Sequence, residues 1–171
     1  MKIEDVINPI YVGDFVLNNE HEKNHIKVRY NNQLSKEVLT SNQGRVYLFT
    51  SNGIIKKIGG SASRGGIKTT LSFYTCSMTG SPGKPRFILH LLIRDELITG
   101  NKCSIYMITS PDVDSLVNGL TEKKIISIAA FKEMEDLCKK NYFDQMKCYP
   151  EWNFQENNHD YPSNYSMEHV K

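Results

Sequence analysis

The chain of 171 residues carries 21 Lys and Arg against 19 Asp and Glu, is 39% hydrophobic and 23% charged, and has a mean hydropathy of -0.45, the profile of one globular domain rather than two. No stretch approaches the roughly 20 apolar residues of a membrane helix. Met1-Lys2-Ile3-Glu4-Asp5 lacks the basic and apolar regions of a secretory signal, so a cytoplasmic location without a membrane partner is expected. Cys76, Cys103, Cys138 and Cys148 are scattered and form no C-x-x-C pair, which argues against a disulfide framework or a structural zinc; the first three are expected to be buried small apolar residues.

The net charge of +2 is unevenly spread. Residues 1–43 carry five basic and six acidic groups, residues 44–110 nine and two, and residues 111–171 seven and eleven, giving -1, +7 and -4. A basic middle third in an otherwise acidic chain points to a polyanionic partner, of which nucleic acid is the commonest.

In chain order, residues 1–43 begin with an apolar tract from Val6 to Val16 and turn polar from Asn18 to Asn32, an irregular or partly helical N-terminal extension elaborating the core. Arg45 to Thr50 is rich in β-formers, Ser51-Asn52-Gly53 is a turn signal, and Ile54 to Gly59 is apolar again, which predicts a hairpin with a three-residue connection. Gly59 to Gly66 interrupts regular structure, and Ile67, Leu71 and Tyr74 then recur at helical spacing. A second helix is expected from Arg86 to Ile98, with Pro85 at its start and Gly100 past its end. His90 on its apolar face reads as a satisfied core or interface histidine. Cys103 to Ile108 alternates as a strand. A third helix is expected over Ile125 to Tyr142, with Ile128, Phe131, Met134 and Cys138 inward and Lys132, Glu133, Asp136, Lys139 and Lys140 in water. The tail from Tyr149 to Gln155 holds the single Trp and should pack rather than float. The order predicts a small α/β (α+β) domain: a mainly antiparallel central sheet flanked by helices, with residues 1–43 as the extension and 44–171 as the core with its tail.

Chemistry concentrates at the hairpin. Tyr47 on the first strand and Lys57 on the second could approach, and a nearby ammonium would stabilise a phenolate able to act as base or nucleophile. Gly59-Gly60-Ser61-Ala62-Ser63-Arg64-Gly65-Gly66 leads into a helix, as phosphate-binding loops do, but has neither the Walker A nor the Rossmann order. Lys57, Arg64, Lys68 and Arg86 could clamp a phosphodiester as charged donors.

Val46-Tyr47 followed by Lys57-Ile58-Gly59 resembles the paired "GIY" and "YIG" strand motifs of the GIY-YIG endonuclease superfamily. Glu135 on a later helix and Pro150-Glu151-Trp152-Asn153 beyond it extend the resemblance. Gly65-Gly66-Ile67-Lys68, Gly80-Ser81-Pro82 and Trp152-Asn153-Phe154-Gln155-Glu156 look most like its restriction-enzyme branch. The likeness spans roughly residues 44–157. The first motif lacks its glycine, with Gly44 one place earlier, and Lys57 stands where many relatives have tyrosine.

The resemblance implies a phosphodiesterase dependent on Mg²⁺ (or Mn²⁺), with Glu135 as metal ligand and Tyr47 handling the water. Lys57 would keep that phenol acidic or touch the phosphate. The family arginine is matched by Arg64, Lys68 or Arg86. Glu133 competes with Glu135, which is preferred because it lies beside the buried face. Asn153 would tie the tail to the active-site helix. Double-stranded DNA is the expected partner, contacted by Lys57, Ser61, Arg64, Lys68, Lys84 and Arg86. A homodimer is expected because one such site cuts one strand, with residues 1–43 making the dimer contact or embracing the DNA. The leading reading is a type II restriction enzyme, and the alternatives are a non-catalytic nucleic-acid-binding module or a repair or mobile-element nuclease. The recognition sequence and cut position are not encoded in any motif.

Overall fold

The structure is a computed structural model that describes residues 1–79 and 83–168. The Gly80-Ser81-Pro82 motif and the last three residues of the expected core lie outside the described residues. The elements are β1 (Ile10–Leu17), β2 (Ile26–Tyr30), α1 (Lys36–Thr40), β3 (Arg45–Ser51), β4 (Ile54–Ser61), α2 (Gly66–Thr75), α3 (Lys84–Ile98), β5 (Cys103–Thr109), β6 (Val113–Asn118), β7 (Lys123–Ile128), α4 (Phe131–Met146) and α5 (Ser163–Glu168). Five strands form one sheet in the order β2-β1-β5-β3-β4, and each neighbouring pair is antiparallel. The expected α+β class, a small antiparallel sheet flanked by helices, is the fold observed. No helix of the described residues is long and apolar enough to cross a membrane.

Every residue of β3 is buried. One sheet face gathers Val12, Phe15, Tyr47, Phe49, Ile105 and Met107 against Ile67, Leu71 and Tyr74 of α2 and Leu89 and Ile93 of α3. The other face sets Val46, Leu48, Ile55 and Ile58 against Ile3 and Tyr142, with Met134 and Cys138 of α4 at the margin. Helix α3 is also covered on its outer side, where Phe87, Ile88 and Leu91 meet Phe154, Tyr161 and Tyr165 of the tail. Its apolar residues therefore occupy more than one face.

The hairpin β3–β4 turns on Asn52 and Gly53, at φ +47° and +80°. An Asn-Gly pair with both residues left-handed is a turn whose twist matches the strands it joins. The connection is two residues rather than the expected three, and the ladder slips once between Phe49 and Thr50.

Residues 1–43 differ from expectation. Their apolar tract is β1, paired to β5 on one side and to β2 on the other, so Val12 and Phe15 lie in the core. The third expected helix begins later than its periodicity suggested. Lys123 to Ile128 is strand β7, paired only to β6 in a separate two-stranded sheet, and Ile128 is exposed rather than inward. Of the cysteines, Cys103 is buried and Cys138 partly so, whereas Cys76 is exposed, contrary to expectation.

Candidate active site at the edge of the sheet

Strand β4 is the edge of the five-stranded sheet, and its two consecutive glycines allow groups from both faces to reach that edge. Tyr47 of β3 lies opposite Gly59, and a Cβ there would collide with the phenol ring and hydroxyl. A Cβ on Gly60 would come within 2.5 Å of Oε2 of Glu135, on α4. Successive strand residues point to opposite faces. The phenol and the carboxylate thus approach the same short stretch of backbone from opposite sides.

On the Tyr47 side, its hydroxyl lies 2.5 Å from that of Tyr74 on α2, either one able to donate. These two phenols, Gly60, Thr70, Arg86 and Phe131 line a cleft of about 260 Å³. Arg86 comes from the first turns of α3 and lies over the Phe73 ring at 4.2 Å. Burial, Tyr74 and Glu135 hold the Tyr47 phenol well above its ordinary pKa, with Arg86 as the opposing cation. Burial also raises Tyr74. The expectation that Lys57 keeps the Tyr47 phenol acidic is corrected here. Lys57 pairs across from Phe49, two residues along β4 from Gly59, and the cation that acts on both phenols is Arg86.

Around the edge of β4, Lys57, Leu89 and Trp152 from the Tyr47 face and Glu135 and Lys139 of α4, with Glu156, line a second cleft of about 220 Å³. Lys139, one helical turn beyond Glu135, lies 2.6 Å from its Oε1 and also pairs with Glu156. Burial alone would lower the Lys139 ammonium, but its hydrogen bonds to these carboxylates raise it. Burial would raise the Glu156 carboxyl, yet Lys139, its own backbone N–H, Asn153 and Lys57 hold it below the ordinary value. Lys57 is lowered by burial, a trend opposed by Glu156 and Glu135. Two acids and two bases thus alternate around the cleft. Lys139 was expected in water and is instead enclosed by the two carboxylates.

The tail forms the wall. The Trp152 amide donates to the Lys56 carbonyl at 2.8 Å. The Asn153 side chain accepts from the Ile58 amide at 3.0 Å and donates to the Ile58 carbonyl at 3.1 Å. A side-chain amide here completes the ladder that an edge strand leaves open. Asn153 therefore ties the tail to β4, not to the helix as expected. Trp152 is core, as expected.

The remaining expected residues lie elsewhere. Arg64 is exposed in the turn before α2, and Lys68 lies over the Tyr30 ring at 5.4 Å. Lys84 sits over Tyr161 at 5.4 Å. The Ser61 hydroxyl is buried and bonded to Ser63 and Thr70. Glu133 is exposed, whereas 21% of the Glu135 side chain is exposed. Tyr74, Lys139 and Glu156 were not singled out by the sequence. Tyr74 was visible as the last residue of the α2 stripe and Glu156 as the end of the tail motif, but nothing local set either beside the hairpin.

Among the described residues no group of three or more His, Cys, Asp and Glu could hold a metal ion. A Mg²⁺ ion asks for less, one or two carboxylates and several waters; Glu135 offers one carboxylate, its Oε1 paired with Lys139 and its Oε2 set against Gly60.

No family model matches the chain, and no curated protein matches it in sequence. Among solved structures, a mutant of bacteriophage T4 EndoII aligns over 85% of this chain and 90% of its own, with a TM-score of 0.53 and 17% identity. The restriction endonuclease HPY188I in complex with product DNA aligns over 86% of each chain, with a TM-score of 0.49 and 19% identity. The first likeness shows a shared fold.

Proposed function

We propose that the chain is a DNA endonuclease of the GIY-YIG kind, hydrolysing phosphodiester bonds at a short specific site as a type II restriction enzyme does. The observation that carries this reading is the meeting of the Tyr47–Tyr74 phenol pair, Arg86 and Glu135 around Gly59 and Gly60. Phosphodiester hydrolysis needs an oriented water and positive charge beside the non-bridging oxygens, and these groups answer that need. The fold shared with a phage endonuclease supports the same reading.

Tyr47 Oη, hydrogen-bonded to the Tyr74 hydroxyl, orients the attacking water; burial keeps both phenols protonated, so their part is to position it. Arg86 supplies the guanidinium for the phosphate, and Lys57, two residues along β4 from Gly59 on the same face, an ammonium. Glu135 would hold Mg²⁺ (or Mn²⁺), which when bound supplies a Lewis acid against the charge of the phosphorane. Lys139 pairs with both Glu135 and Glu156 and offsets part of their charge. Ser61, Arg64, Lys68 and Lys84 belong to the proposed DNA-facing set, Ser61 by shaping the turn after β4. The protein acts as a homodimer, since one site cuts one strand.

Incubation of plasmid DNA with the purified protein and Mg²⁺ tests the reading. Discrete fragments are expected. A protein that binds DNA and leaves it intact with Mg²⁺ and with Mn²⁺ is a binding module instead.

A further inference from the structure

The hairpin β6–β7 is a sheet of its own. All of β7 and all but one residue of β6 are exposed. A lone two-stranded hairpin is marginal in water and needs a covering surface. The register defines its two faces. On one, Val113, Val117, Ile126 and Ile128 are 37 to 57% exposed. The other carries three facing pairs, Asp114–Ser127, Leu116–Ile125 and Asn118–Lys123, and the Ser127 hydroxyl donates to Asp114 across it. Leu116 and Ile125 there are 62 and 67% exposed.

This second face is acidic at its base, apolar in the middle and basic at its tip. Such a pattern is its own complement. A copy turned by 180° about an axis lying in this face and running across the strands at the Leu116–Ile125 pair sets apolar on apolar and brings Lys123 diagonally across from the partner's Asp114, twice. A parallel copy would bring like charge diagonally beside like. DNA fits the hairpin poorly, because Asp112, Asp114 and Glu122 outnumber Lys123 and Lys124, leaving no basic surplus for phosphates. We propose that this face docks on the same face of a second copy of the chain, antiparallel and two-fold symmetric. The inference supplies the contact for the homodimer of the proposed nuclease.

Two strand pairs of this length bury less than a standard interface, so a dimer in the micromolar range is expected. Sedimentation velocity of the full chain, without DNA, reads it over that range, so that failure of the nuclease reading leaves the assembly result standing. Wild type should shift from monomer to dimer with concentration. Leu116→Ser with Ile125→Ser should abolish the shift while circular dichroism stays unchanged. Lys123→Asp and Asp114→Lys should each weaken the dimer about tenfold or more, and the two together should restore it. A wild type that stays monomeric, a dimer indifferent to these changes, or a charge swap that fails to recover would each overturn the proposal.

Discussion

Tyr47 shows how much of the site depends on what is absent from a neighbour. Its hydroxyl reaches the outer strand because position 59 has no Cβ, and its proton is held by burial and by Glu135. Tyr47→Phe keeps the ring and removes the oxygen that positions the water, so cleavage should fall by about 10²-fold or more with folding intact. Full cleavage by that variant would remove the phenol from the mechanism. Glu135→Gln removes the anion beside Gly60 and should abolish cutting and calorimetric Mg²⁺ binding, while DNA binding persists. Glu133→Gln, altered at an exposed position of the first turn of α4, should leave both unchanged. The opposite pattern would reverse the roles of the two glutamates. His90 gives a residue-level prediction on stability. Its Nε2 accepts from the His25 amide, so Nδ1 is the protonated nitrogen that donates to the Tyr74 carbonyl at 2.8 Å. Burial, helped by His25 and Arg94, lowers its pKa from 6.5 to about 4. A depressed pKa leaves the native state neutral while the unfolded chain takes a proton, so stability is full above pH 6.5 and is lost as pH falls toward 4. The loss should be about 3 kcal/mol across that window. Urea unfolding at stepped pH reads it, and His90→Gln should flatten the slope.

At the scale of elements, Asn153 makes two of the hydrogen bonds that tie the tail to β4, so its removal is informative. Asn153→Ala leaves the Ile58 amide and carbonyl without their partners and should cost about 1 to 3 kcal/mol, seen as a lowered denaturant midpoint. An unchanged midpoint would mean that Trp152 and the Glu151–Lys56 pair hold the tail without it. The elements that the sequence predicted well announce themselves locally. The β3–β4 hairpin has β-branched runs around Asn52-Gly53, and α3 has Pro85 in its first turn and Gly100 beyond its end. Strand β1 was not legible because Gly13 and Asp14 break its alternation, and its partners are β2 and the distant β5, whose register also shifts beside Gly13. The run Lys123 to Ile128 carries apolar residues that extend the helical stripe of α4 backward, so periodicity alone joined a strand to the helix after it. The site follows the same division. Tyr47, Lys57 and Glu135 stand in motifs, whereas Tyr74, Lys139 and Glu156 meet them only once α2, α4 and the tail have wrapped the sheet edge. Arg64, Lys68 and Arg86 were equivalent cations in the sequence; the first turns of α3 set Arg86 apart by placing it over Phe73, beside the phenols.

At the scale of the whole molecule, residues 1–43 supply two of the five strands, so deleting them should give an unfolded chain by circular dichroism rather than a folded monomer. A folded truncation would show that β3, β4 and β5 suffice as a core. The charge partition leads to the last prediction. The +7 of residues 44–110 is carried on β3, β4, α2, α3 and their connections, the same elements that build the Tyr47 cleft, while the acidic surplus lies in the hairpin, α4 and the tail. Phosphates neutralised on that basic surface release counterions, so the logarithm of the DNA affinity should fall linearly with the logarithm of salt concentration. Arg86→Gln should make the slope shallower by about one contact, whereas Lys124→Gln on the hairpin should leave it unchanged. Fluorescence anisotropy of a labelled duplex across a salt series measures both. A slope that is flat, or that responds to Lys124 and not to Arg86, would place the DNA on the hairpin side of the molecule and separate it from the phenols proposed to cut it.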